Sequence, residues 1–90
     1  MKYAVVVVTS FDLDVSVCLF DYYVKATEYL QDLWEDDYNT ELAESVIGIN
    51  EAHTYHEEDY AKITWRDGDT MEYYVTDVSK PIEINGKSYK

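Results

Sequence analysis

Ninety residues and 10.6 kDa make one domain, with a small core and little interior left over for a large enzyme-type cleft. Nineteen Asp and Glu against seven Lys and Arg give a formal charge of −12, which repels phosphates and argues against nucleic acid or an anionic membrane as a direct ligand. With 47% apolar residues and ten Tyr, the chain is too hydrophobic for a disordered acidic tail and should fold.

Residues 3–9 (YAVVVVT) are apolar on both alternating faces, which predicts a central strand buried on both sides. The acidic FDLD segment follows as a loop or loose turn. Residues 15–20 (VSVCLF) alternate Val15, Val17 and Leu19 against Ser16, Cys18 and Phe20, the pattern of a second strand. Asp21 stands where a helix N-cap is expected. Residues 22–38 then have helical periodicity. Tyr23, Ala26, Thr27, Leu30, Leu33 and Trp34 form one stripe, and Lys25, Glu28, Asp32, Glu35 and Asp36 face the other way. Thr40 is the expected cap of a short second helix over ELAESVI that ends near Gly48, and Asn50 that of another helical turn through EAHTYH. Residues 60–66 and 69–76 alternate as strands, with Asp67-Gly68 as the hairpin turn between them. Pro81 ends this unit or opens an edge segment, and Asn85-Gly86 marks a further turn. The order β-β-α-(α)-β-β predicts a single α+β domain over residues 1–90. It has an antiparallel sheet of about four strands, with one main amphipathic helix packed on one face.

Little of the chain points to chemistry. Cys18 is the only cysteine, so there is no intrachain disulfide and no CxxC pair, which fits a reducing compartment. The apolar run at the N-terminus is short, stops at Asp12 and Asp14 and lacks a small-residue cleavage site. No stretch approaches the roughly 20 apolar residues of a membrane span. A cytoplasmic location is the expectation. His53-x-x-His56-Glu57 would put two imidazoles and a carboxylate on one helical face, but the pattern is not HExxH and solvated histidines beside acids are the simpler reading. Asp12-x-Asp14 and Asp67-Gly68-Asp69 lack the other ligands of a calcium loop. Three glycines leave no room for a phosphate cradle, and there is no GxSxG or P-loop. Cys18 reads as a small apolar residue in mid-strand. We therefore expect no enzyme, no cofactor and no metal.

The charge itself carries the most information. Residues 12–59 hold seven Asp and seven Glu against Lys25 alone, a net −13, while residues 80–90 carry Lys80, Lys87 and Lys90 against Glu83. On the main helix Glu28, Asp32, Glu35 and Asp36 fall at i, i+4, i+7 and i+8, so 28 to 32 spans ~6 Å and 28 to 36 ~12 Å. Like charges at this spacing cost only a few tenths of a kcal/mol each, so the row is tolerated as a solvated, solubilising face. It also matches in scale the charge ladder of a nucleic-acid backbone. Tyr22 and Tyr29 flank this face, and Tyr55, Tyr60 and Tyr74 fall at half-exposed positions. Tyr offers contact area and a hydroxyl at low entropic cost.

No family motif is matched. In charge, size and Tyr content the chain resembles a functional class: small acidic inhibitors of nucleic-acid-handling proteins. Phage anti-CRISPR proteins, anti-restriction DNA mimics and immunity proteins to nuclease toxins share that profile. The resemblance implies a non-enzymatic inhibitor whose partner is a basic nucleic-acid-binding protein: a nuclease, restriction subunit or CRISPR effector. The expected contact residues are Glu28, Tyr29, Asp32, Glu35, Asp36, Asp37, Glu41 and Glu44. The alternative is an interaction or assembly module, a homodimer through a sheet edge or a Tyr-rich face.

Overall fold

The computed structural model describes residues 2–12 and 15–78 in full, and the backbone of residues 82–84 and 87–89. Strands β1 (Tyr3–Thr9) and β2 (Val15–Phe20) precede helix α1 (Tyr23–Glu44). A 3₁₀ turn (Glu51–His53), β3 (Tyr55–His56), β4 (Tyr60–Thr64) and β5 (Thr70–Asp77) follow. The five strands form one antiparallel sheet in the order β2-β1-β5-β4-β3. One long helix packs on it, against β1, β4 and β5 above all, which makes a single compact α+β domain. Strands β6 (Ile82–Ile84) and β7 (Lys87–Tyr89) pair antiparallel as a separate two-stranded unit. Pro81 and the Asn85-Gly86 turn lie outside the described residues.

β1 is central because its sequence permits burial on both faces. Val5 faces the helix and joins Ala26, Leu30, Ala61, Ile63, Trp65 and Tyr73 in the main core. Ala4 and Val6 point the other way and are also buried, beside Val8 and Tyr74. β2 is one edge of the sheet and β3 the other, and the pattern of β2 splits by face. Cys18 and Phe20 are half-buried toward the helix, whereas Val15, Val17 and Leu19 are exposed on the far side. The helix meets the sheet through the small Ala26 and the larger Leu30, both fully buried. Burying a Leu contributes about 1.5–3 kcal/mol. Trp34 extends this seam, with its indole Nε1 donating to the Lys62 carbonyl at 3.1 Å.

The connections depart from the sequence reading in four places. The N-cap of α1 is Tyr22, not Asp21; its backbone is extended and it makes no side-chain cap bond. There is no break at Thr40: α1 runs on to Glu44, 22 residues in all. Nothing between Asn39 and Glu44 is a Gly or Pro, and Tyr38 still packs against the core, so the helix has reason to continue. The segment EAHTYH is not a helical turn throughout but a 3₁₀ turn followed by a short strand, in which Tyr55 pairs with Lys62 and His56 with Ala61. β4 stops at Thr64, and Trp65 instead forms an isolated bridge to Ile49.

Two glycines sit where only they fit well. Gly48 has φ of 89° in the loop after α1, where its N–H donates to Ser45 Oγ at 3.2 Å and an added Cβ would crowd the Arg66 side chain. Gly68 has φ of 94° and closes the β4–β5 hairpin, as the Asp67-Gly68 pair predicts.

Candidate protein-binding surface

The row of acids is where the periodicity places it. Glu28, Asp32, Glu35 and Asp36 are all exposed and fall within about 100° of arc on the face of α1 that points away from Ala26 and Leu30. Lys25 lies 3.7 Å from Glu28, an exposed pair of the kind that contributes at most ~1 kcal/mol. Glu35 accepts a hydrogen bond from Gln31 Nε2 at 3.1 Å. Among the described residues, Asp32 and Asp36 have no hydrogen-bond or ion-pair partner for their carboxylates. Tyr29 is at the border of this face, 38% exposed, with its ring 5.0 Å from that of Phe20. Glu44, the last helical residue, is exposed.

Asp37 and Glu41 go elsewhere. They follow Leu30 and Trp34 by seven residues each, which turns them toward the sheet. The fully buried Tyr73 donates its hydroxyl to Asp37 Oδ2 at 2.6 Å. Burial pushes the Tyr73 phenol far above its ordinary value, and the bond to Asp37 and the charges of Asp37 and Glu41 add to this. Glu41 lines an open cleft of about 350 Å³ with Phe11, Ser45, Ile47, Trp65 and Asp69.

The bond from Tyr73 to Asp37 is one of a set. Tyr60 and Tyr74 both donate to Glu72 Oε2, at 2.7 and 2.6 Å, on the sheet face opposite the helix. Both phenols are raised, first by burial and then by Glu72. Tyr23 donates to Glu58 at 3.0 Å and Tyr38 to Glu51 at 3.1 Å, which ties α1 to the β3–β4 connection and to the 3₁₀ turn. Burial and these carboxylates raise both phenols as well. In a chain with so few bases, tyrosine hydroxyls do what Lys and Arg do elsewhere: they satisfy carboxylates that the fold brings in. Sequence reading misses these pairings because the partners are 12 to 36 residues apart, Glu72–Tyr74 excepted.

The histidines do not share a helical face. His53 ends the 3₁₀ turn, and His56 lies in β3 with its ring 5.4 Å from Trp34 and its Nε2 buried without a partner. Among the described residues, no group of three or more His, Cys, Asp or Glu is arranged to hold a metal ion. Asp67 serves the turn, accepting from the Asp69 N–H at 3.0 Å. Among the described residues no helix is long and apolar enough to cross a membrane. Comparison with family models, with curated proteins and with solved structures returns no match for this chain. What the fold and surface define is thus an α+β domain with one acidic helix face laid open.

Proposed function

We propose that the protein is a stoichiometric, non-catalytic inhibitor that occupies the basic groove of a cytoplasmic nucleic-acid-handling protein, such as a nuclease, restriction subunit or CRISPR effector. The observation that carries this reading is the outer face of α1. Its four carboxylates are exposed, and among the described residues no cation beyond Lys25 attends them. Four charges over ~12 Å of helix give one per ~4 Å, against ~3.4 Å of axis per phosphate in one DNA strand. A groove lined by Lys and Arg to grip phosphates would attract such a row, steering the encounter over a Debye length of about 8 Å at physiological salt. Tyr22, 70% exposed at the helix entrance, and Tyr29 supply contact area beside the charges. The experiment is capture from a nuclease-treated bacterial lysate, with elution by duplex DNA or RNA. A basic protein released by nucleic acid and by salt supports the proposal. A neutral partner indifferent to both refutes it.

A second reading has its own support. β2 is an edge strand without a charged residue in a chain of net charge −12, and it exposes Val15, Val17 and Leu19. Such an edge suits pairing with a second copy. Sedimentation separates the readings, because edge pairing persists in high salt and charge-driven capture does not.

A further inference from the structure

The cleft at the far end of α1 has features that the outer helix face lacks. Four segments meet there: Phe11 from the β1–β2 connection, Glu41 and Ser45 from the end of α1, Ile47 from the following loop, and Trp65 and Asp69 from the base of the β4–β5 hairpin. Phe11 meets Trp65 edge-to-face, with ring centroids 5.6 Å apart at 86°. Trp65 is almost wholly buried, whereas Phe11 and Ile47 are at least half exposed at the rim. The volume, about 350 Å³, is at the small end of the range for ligand pockets (roughly 300–1,000 Å³).

The charge in the cleft is one-sided. Glu41 and Asp69 line it, and no Lys or Arg does among the described residues. Asp69 Oδ1 accepts from Ser10 Oγ at 3.1 Å and keeps further lone pairs free, while the Glu41 carboxylate has neither a hydrogen bond nor a cation among the described residues. The nearest base in sequence, Arg66, is engaged elsewhere: its Nε donates to the Ile49 carbonyl at 3.4 Å and its side chain lies against Gly48. Two carboxylates beside aromatic and aliphatic walls match one side chain above others. A guanidinium is flat, weakly hydrated, able to stack on a ring and to bond carboxylates with two N–H groups at once. An apolar side chain would strip water from the carboxylates without replacing it.

We propose that this cleft receives an arginine side chain of the partner. The inference rests on the reading that the partner is basic, and it makes the cleft the anchor beside the steering field of α1. The two tryptophans allow a direct test with Nα-acetyl-arginine methylamide as the probe. Trp65 lines the cleft, and Trp34 reports on the rest of the fold, since its indole is tied to the Lys62 carbonyl. In an NMR titration the Trp65 indole resonance shifts saturably, the Trp34 resonance stays in place, and the lysine analogue binds more weakly. The double variant Glu41→Gln, Asp69→Asn keeps the shape and the acceptor for Ser10 but weakens arginine binding roughly tenfold. Phe11→Ala weakens it without touching the charge. A Trp65 resonance that does not move, that moves equally with lysine, or that moves equally in the double variant overturns the proposal. The two readings fail separately. Nucleic-acid-competed capture without a Trp65 shift sinks the cleft alone, and a Trp65 shift with capture indifferent to nucleic acid sinks the groove reading alone.

Discussion

The two sides of α1 carry the same residue type to opposite ends. On the outer side Glu28, Asp32, Glu35 and Asp36 face solvent, and among the described residues the last three have no cation beside them. On the inner side Asp37 is held by the hydroxyl of a buried tyrosine, and Tyr23 and Tyr38 reach from the helix flanks to Glu58 and Glu51. An acid in contact with a tyrosine helps to hold the fold together. An acid left open to solvent, paired at most with an exposed neighbour on its own helix, is available to a partner. The contrast matters because composition alone cannot tell the two kinds apart, and a charge of −12 makes every acid look alike.

The comparison can be broken from the inner side first. Leu30→Ala empties a fully buried position between helix and sheet and should lower stability by about 2–5 kcal/mol in a denaturant melt. The molecules that remain folded should bind the partner as before, since the outer face is unchanged. Tyr73→Phe is subtler. It leaves Asp37 without its donor and should cost about 1–3 kcal/mol. A loss near zero would mean that the inner acids are as idle as the outer ones.

The tyrosines also set a pH dependence. Their folded phenols are raised above the unfolded value of about 10, so the native state holds protons that the unfolded chain has released. Their contribution is therefore complete below pH 10 and declines as pH rises beyond it. Tyr73 alone should account for ~1 kcal/mol between pH 10 and pH 11. Melts across that range should show a steep loss in the natural chain and a shallower one in Tyr73→Phe. Equal slopes would remove the tyrosine–carboxylate pairs from the account.

Much of this architecture is legible in the sequence, and the failures have physical causes. The unbroken apolar run in residues 3–9, the period of two in residues 15–20, 60–66 and 69–76, and the period of 3.6 from Tyr23 onward locate the four long strands and the helix. Asp67-Gly68 locates the hairpin. β3 escapes because two residues are too few to show a period. The helix beyond Thr40 escapes because a threonine that caps one helix looks the same as a threonine inside another. That error also hides the place of Glu41, which reads as an extension of the acidic row when the helix breaks at Thr40 but turns inward in one continuous helix, seven residues after Trp34. Asp37 precedes Thr40, and its seven-residue spacing from Leu30 puts it on the inner side with or without the break. The cleft is invisible to local reading, since Phe11, Glu41 and Trp65 meet only in the folded chain.

The most direct measurement is the outer-face reversal Asp32→Lys, Glu35→Lys, Asp36→Lys, assayed for both stability and capture of the partner. All three side chains are exposed and none has an ion-pair partner among the described residues, so the melt should stay close to that of the natural chain. Capture should be lost, because like charges would now face each other at a cost of several kcal/mol. Undiminished capture by a folded triple variant would contradict the account and reduce the open row of carboxylates to an aid to solubility.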